Sequence, residues 1–156
     1  MRKMSLDVGT RTIGIAVSDL LGMIANGVET IHRTIEERDY ARIAELIAEH
    51  EVDTLVVGYP KNMNGTIGER AQACEAMAEK LRTMFPKVQV VLWDERRTTV
   101  TAAGILSANS TFGADRKARL DSVSAAVILE SFLAWRKAHP GEEPPEVAAP
   151  TAPEQA

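Results

Sequence analysis

Cysteine is nearly absent from this sequence, which contains Cys74 and no second cysteine among its 156 residues. A single cysteine cannot form an internal disulfide, so a disulfide-stabilised extracellular scaffold is excluded. The sequence also lacks an apolar run of the roughly 20 residues that a membrane-spanning helix needs. No apolar stretch of a signal peptide follows its basic start. These absences predict a soluble, cytoplasmic protein without a membrane partner, in which Cys74 is a small core residue.

A surplus of positive charge is missing as well, because the formal net charge is −4 at pH 7. That value alone argues against a nucleic-acid partner. However, residues 139–156 contain four acidic residues and no Lys or Arg, so residues 1–138 hold 18 acidic and 18 basic residues. A neutral domain can still carry local basic patches, and "ERR" at 95–97 and "RKAR" at 116–119 are candidates. The Pro/Ala/Glu-rich composition of 139–156 predicts a disordered tail after a single domain over 1–138.

The apolar pattern predicts an α/β fold whose elements follow the order βββαβαβα. Alternating apolar residues predict three strands that form an antiparallel meander. Helical periodicity then alternates with short apolar runs that are typical of parallel strands. The predicted strands are 4–8, 13–19, 27–33, 53–59 and 88–93, and the predicted helices are 35–50, 69–85, 100–106 and 119–137. This order predicts a mixed sheet covered by helices, with strand ends gathered at one edge for a site.

Acidic residues occur at three places where packing alone would not select them. Asp7 lies in the first strand, Asp94 and Glu95 follow the last strand, and Asp121 lies in a nearly all-apolar helix. A buried carboxylate without a partner is costly, so each of these needs a cation or a hydrogen-bond donor. Each one alone could be a cap, a surface charge or half of a salt bridge. Together they predict a site for a hard divalent cation, Mg²⁺ or Mn²⁺, of the kind that phosphodiester-cleaving enzymes use.

Four stretches of the sequence resemble the signature motifs of the YqgF family. They are "DVGTRTIGIAVSD", "VVGYPKNMNGTIGERA", "DERRTT" and "LDSVSAAVILESFL", and the similarity extends over about residues 2–136. Members of that family are described as nucleases that mature pre-16S ribosomal RNA and as Holliday junction resolvases. The resemblance implies an RNase H-like fold, with a mixed five-stranded sheet of three antiparallel strands followed by two parallel ones. It also implies a metal-dependent nuclease.

The resemblance assigns roles to particular residues of this chain. It places the metal ligands at Asp7, Glu95 and Asp121, and Asp94 belongs to the same motif as Glu95. Adjacent strand residues face opposite sides of a sheet, so one member of the pair is expected to point inward, and which one is left open. The acidic site also needs cations to hold a polyanion nearby. The candidate phosphate contacts are Arg11, Arg96, Arg116 and Lys117, each of which could instead be a solvated surface residue.

The implied substrate is a pre-rRNA or a ribosomal particle, with branched DNA as the alternative. A junction resolvase usually acts as a two-fold dimer, whereas RNA trimming does not require one, so both a monomer and a homodimer are compatible. Two other hypotheses remain open. The "LDVGTRTIG" stretch also resembles the phosphate-binding turn of actin-like and sugar-kinase ATPases, although those proteins need two such domains. A nucleic-acid-binding or ribosome-associated factor that has lost its activity is the third hypothesis.

Overall fold

Five strands and three helices form the part of the chain that the computed structural model describes: residues 1–60, 68–95 and 114–145, with the backbone alone for 114–121. The elements are β1 (Arg2–Val8), β2 (Thr12–Ser18), β3 (Ala25–His32), α1 (Glu36–His50), β4 (Val52–Tyr59), α2 (Glu69–Met84), β5 (Gln89–Asp94) and α3 (Ala114–Ala138). The predicted helix over 100–106 lies outside the described residues.

The strands form one sheet in the order β3-β2-β1-β4-β5. Strands β1, β2 and β3 pair antiparallel, whereas β4 is parallel to β1 and β5 is parallel to β4. This confirms the prediction of a mixed five-stranded sheet with three antiparallel strands followed by two parallel ones. Because β1 lies at the centre, its C-terminal end meets the C-terminal ends of β4 and β5 at one edge of the sheet.

Each face of the sheet has its own apolar core. On one face, β-strand side chains pack with Tyr40, Ile43 and Leu46 of α1 and with the buried residues of α2, including Cys74. On the other face, α3 packs on residues such as Ala16 and Val56. Alternation along the strands separates the two sets, since neighbouring residues point to opposite faces. The burial of Cys74 confirms its expected place in the core.

Helix α3 crosses the sheet from the β3 edge to the β5 edge. Gly27 of β3 lies so close to Ser122 that a Cβ there would be 2.8 Å from the hydroxyl oxygen. Ser5 of β1 donates to the Ala125 carbonyl over 2.5 Å, and the indole of Trp93 on β5 donates to Ser131 over 3.1 Å. The buried Trp93 ring also packs edge-to-face against Phe132, with the centroids 5.4 Å apart. The long helix therefore spans all the strands that carry candidate acidic residues.

Most element boundaries agree with the sequence prediction to within one residue, with three extensions. Helix α3 begins at Ala114 instead of residue 119, and β1 and β3 begin at Arg2 and Ala25 instead of residues 4 and 27. Residues 139–145 are described and begin with a turn, in which the His139 ring stacks on Trp135 with the centroids 4.5 Å apart. None of the helices in the described part is long and apolar enough to cross a membrane.

Candidate active site

Asp7 lies on the α3 face of the central strand, one residue before β1 ends. Its neighbours Leu6 and Val8 belong to the core on the α1/α2 face, and Ser5 contacts α3. Alternation along the strand therefore places the Asp7 carboxylate on the same face as α3. The facing residue on β2 is Gly14, which has no side chain to cover it. The Asp7 side chain is 21% exposed, so solvent and ligands can reach it.

Gly58 on the adjacent strand provides the space into which Glu95 folds. Leu6 of β1 pairs with Val57 of β4, so the next residue along β4, Gly58, lies beside Asp7. A Cβ at Gly58 would lie 2.7 Å from Glu95 Oε2, and also 2.6 Å from the Ile128 methyl of α3. The Glu95 carboxylate thus lies over the Gly58 backbone, between β5 and Asp7. The sequence signal was a glycine inside an otherwise apolar strand, which often marks close approach of another group.

Burial and the negative charge of Asp7 both contribute to a raised pKa of the Glu95 carboxyl group. Burial of the Glu95 side chain, followed by the negative charges of Asp7 and Asp94, raises its pKa from the ordinary value of 4.5 to about 7. The guanidinium of Arg70 opposes this shift. Two carboxylates held together in a partly desolvated site disfavour each other's ionised form. Such a pair is well suited to bind a cation.

The structure separates Asp94 from Glu95. Trp93 packs on α3, so the alternation of β5 points Asp94 towards the opposite face. Asp94 pairs in register with Tyr59, a residue of the core on the α1/α2 face. The Tyr59 hydroxyl donates to Glu75 of α2. Burial, the hydrogen bond to Glu75 and, to a smaller extent, the charge of Asp94 raise the pKa of Tyr59. Of the two adjacent acids, Glu95 is the one that shares a face with Asp7.

Two arginines that the sequence reasoning missed donate hydrogen bonds to the backbone carbonyls of the two residues that follow Asp7. Arg70, in the first turn of α2, donates to the Val8 carbonyl over 3.0 Å, and its Nη2 atom lies 3.7 Å from Asp7 Oδ1. Arg33 donates to the Gly9 carbonyl over 2.7 Å and also pairs with Asp39. Arg70 lies within the second motif, which was the available signal, whereas Arg33 lies outside all four motifs.

The remaining candidates are only partly described. Arg11 is exposed in the β1–β2 turn, where its carbonyl accepts a hydrogen bond from the Arg33 N–H over 2.8 Å. Arg96 lies outside the described residues. Helix α3 includes the backbone of Arg116, Lys117 and Asp121. The side chains of these three residues are outside the described part. The Asp121 backbone is one helical turn before Ala125, the residue that contacts β1.

The described donors fit a hard divalent cation in type. Asp7 and Glu95 offer carboxylate oxygens, which Mg²⁺ and Mn²⁺ prefer over nitrogen or sulfur. No group of three acidic, histidine or cysteine side chains with the spacing of a metal site occurs within the described ranges. The third predicted ligand, Asp121, belongs to the segment whose side chains those ranges exclude.

Comparison with solved structures defines the class of fold. The Thermus thermophilus RuvC structure, solved with a Holliday junction substrate, superposes with a TM-score of 0.61 at 13% identity, covering 89% of this chain and 96% of RuvC. The fowlpox virus resolvase, solved with Holliday junction DNA, superposes with a TM-score of 0.54 at 10% identity, covering 86% and 98%. These similarities show a RuvC-like, RNase H-type fold, which confirms the predicted fold class.

Sequence comparison identifies the family within that class. The family model described as "RuvX: Holliday junction resolvase" matches residues 1–135. A Geobacillus kaustophilus protein named "Putative pre-16S rRNA nuclease" is 50% identical over 85% of this chain and 97% of its own length. A Bacillus mycoides protein of the same name is 48% identical over 85% and 98%. The chain belongs to the RuvX family, which confirms the YqgF resemblance and makes it a nuclease, a hydrolase of phosphodiester bonds.

Proposed function

We propose that this protein is a divalent-metal-dependent nuclease that acts in the cytoplasm on the 5′ end of pre-16S ribosomal RNA. The observation that carries the metal-dependent part is the placement of the Glu95 carboxylate over Gly58, beside Asp7, at the edge of the sheet where β1, β4 and β5 end. The RNA substrate is supported by the name that the relatives share and by their near-complete coverage at about half identity.

Asp7, Glu95 and Asp121 are the proposed ligands of Mg²⁺ or Mn²⁺. A bound divalent ion supplies an activated water as the nucleophile and stabilises the charge on the leaving oxygen. The protein contributes Asp7 from the centre of the sheet, Glu95 from the end of β5 and Asp121 from α3. Cation binding also favours the ionised form of Glu95, because it offsets the burial and the Asp7 charge that raise its pKa. Asp94 is proposed to serve outside the ligand set, since it faces Tyr59.

Substrate binding is proposed to involve Arg11, Arg96, Arg116 and Lys117. Arg11 is exposed at the turn that follows the strand of Asp7, and Arg96 follows Glu95 directly in the chain. Arg116 and Lys117 precede Asp121 on the same helix. Positive charge around the acidic pair would reduce the repulsion that a polyanion meets there.

The test is cleavage of a labelled RNA that spans the 5′ end of 16S rRNA, with Mg²⁺, Mn²⁺ or EDTA. We expect metal-dependent cutting by the wild type and a loss of at least about 1,000-fold for Asp7→Asn, because one ligand and one charge are removed. Glu95→Gln should lose comparable activity, whereas Asp94→Asn should keep most of it. Asp53→Asn is the matched control, because Asp53 pairs with Lys3 at the opposite end of the sheet.

A second substrate is assayed in parallel because the family model is described as a Holliday junction resolvase. If a four-way DNA junction is cut in preference to RNA, the proposed role changes from rRNA maturation to recombination. The mass of the protein in solution should then correspond to a two-fold dimer. Binding of either nucleic acid without cleavage under any metal condition would refute the nuclease proposal and favour a non-catalytic factor.

A further inference from the structure

We propose that Arg70 is a substrate-binding residue that holds a phosphate of the nucleic acid against the Asp7–Glu95 pair. This inference rests on the proposed nuclease function and adds a residue that none of the motif-based candidates included. Arg70 lies in the first turn of α2, beside the C-terminal end of β1. Among the described residues, its guanidinium lies 3.7 Å from the Asp7 carboxylate.

The guanidinium donates a hydrogen bond to the main chain, whereas its ion pair with the Asp7 carboxylate is long. Its Nη2 atom donates to the Val8 carbonyl over 3.0 Å, which uses one of the five N–H donors of an arginine. The side chain is 52% exposed, so a large part of it is accessible to solvent and to a ligand. A guanidinium anchored at one corner keeps the geometry for two parallel hydrogen bonds to a phosphate.

The contact with Asp7 is longer than the hydrogen-bonded ion pairs among the described residues. Arg70 Nη2 lies 3.7 Å from Asp7 Oδ1, which is longer than the roughly 2.7–2.9 Å of a charge-assisted hydrogen bond. Arg42, by comparison, binds both oxygens of Glu29 at 2.8 and 2.6 Å. The Arg70 charge therefore acts on Asp7 through space, and its donors are not committed to that carboxylate.

At the same position, the positive charge of Arg70 would repel a metal ion bound to Asp7 and Glu95. Two positive groups near the same carboxylates repel each other, so Arg70 should weaken metal binding while it strengthens the binding of an anionic substrate. Removing it should change the two affinities in opposite directions. A residue that only supported the position of Asp7 would, when removed, weaken both.

The test compares Arg70→Gln and Arg70→Lys with Arg38→Gln, which removes an exposed arginine of α1. Mn²⁺ affinity is measured by titration without nucleic acid, and RNA affinity by anisotropy in EDTA over a series of salt concentrations. We expect Arg70→Gln to bind Mn²⁺ severalfold more tightly and RNA about 10-fold more weakly. The slope of log RNA affinity against log salt concentration should fall by about the value expected for one phosphate contact. In cleavage assays KM should rise while kcat stays within about 3-fold, Arg70→Lys should recover part of the loss, and Arg38→Gln should match the wild type.

Unchanged RNA affinity and salt dependence in Arg70→Gln would overturn the proposal, as would a joint loss of metal and RNA affinity. A fall in kcat at constant KM would overturn it too, because it would place the role of Arg70 in the chemical step. Failure of the nuclease function itself gives a separate signal: the wild type would then not cleave, while the RNA-binding comparison would still decide whether Arg70 contacts phosphate.

Discussion

At the scale of single residues, the Glu95 carboxylate can take its position because Gly58 has no side chain. A Cβ at position 58 would lie 2.7 Å from Oε2 of Glu95, so the Glu95 carboxylate occupies the space that a larger residue would need. The Ile128 methyl of α3 would lie 2.6 Å from the same Cβ. Both contacting atoms are the ends of flexible side chains, so they can move without disrupting the sheet. Gly58 therefore controls the placement of an acidic group more than it controls the stability of the fold.

Gly58→Ala should consequently reduce activity far more than stability. A displacement of Glu95 by about 1 Å is expected to lower the cleavage rate by roughly 100-fold, while the free energy of unfolding changes by about 1 kcal/mol or less. Cleavage rates and denaturant melts measure the two effects. Gly68→Ala is the matched control, because a Cβ there meets no atom within 4 Å. Full activity in Gly58→Ala would show that the Glu95 position is not critical.

The raised pKa of Glu95 makes the stability of the metal-free protein depend on pH. The folded state favours protonated Glu95, so this stabilising contribution is present below about pH 4.5 and is lost as the pH rises through about 7. Glu95→Gln, which cannot ionise, should therefore be more stable than the wild type at pH 8 by roughly 1–3 kcal/mol. The difference should shrink towards pH 5. Thermal melts in EDTA across this range test the expectation, and a pH-independent difference would contradict it.

At the scale of secondary-structure elements, α3 links the acidic edge of the sheet to a core of its own. Its successive turns contact β3, β1 and β5 through Ser122, Ala125 and Ser131. Phe132 and Trp135 then enclose Trp93, the residue two positions before Glu95. The packing of this helix thus fixes both its own position and the end of β5.

Phe132→Ala should test how far this helix depends on that packing. Removing a fully buried aromatic ring leaves a cavity and is expected to cost about 3–5 kcal/mol in the free energy of unfolding. Metal affinity should fall as well, because the β5 end and α3 both lose a packing partner. Ala134→Ser, on the exposed side of the same helix, is the control and should change stability by less than about 1 kcal/mol. A loss below that value for Phe132→Ala would show that α3 is held by other contacts.

At the scale of the whole molecule, charge and packing are distributed unevenly along the chain. The acidic surplus belongs to 139–156, whereas 1–138 is neutral and carries the fold and the candidate site. The boundary is not abrupt, because His139 stacks on Trp135 and its Nδ1 atom lies 2.9 Å from the Trp135 carbonyl. The first residue of the tail is thereby attached to the end of α3.

Two truncations test the predicted domain boundary. A chain that ends at residue 145 should keep the melting temperature of the full protein within about 1 °C, because it retains the His139 contact and loses no described packing. A chain that ends at residue 138 should be less stable by roughly 0.5–1.5 kcal/mol, since it loses the aromatic stacking. A large loss on truncation at 145 would show that 146–156 contributes to the fold.

The sequence by itself determined the fold class, the order of strands and helices along the chain, and the family. Those properties depend on local periodicity and on short motifs, which are written directly in the order of residues. It also singled out Asp7 and the adjacent pair Asp94 and Glu95, because a carboxylate in an apolar strand or at its end is conspicuous. Asp121 remains a prediction, since its side chain lies outside the described ranges.

Only the tertiary structure decided which of Asp94 and Glu95 shares a face with Asp7. It also brings Gly58, Arg70 and Arg33 to the C-terminal end of β1. The choice between the two acids follows from the side of the sheet that α3 covers, and no local pattern encodes that side. Gly58 of β4 and Arg70 of α2 each lie more than 50 residues away from Asp7 along the chain. Their roles arise from strand pairing and helix packing, which bring distant residues together only when the chain is folded.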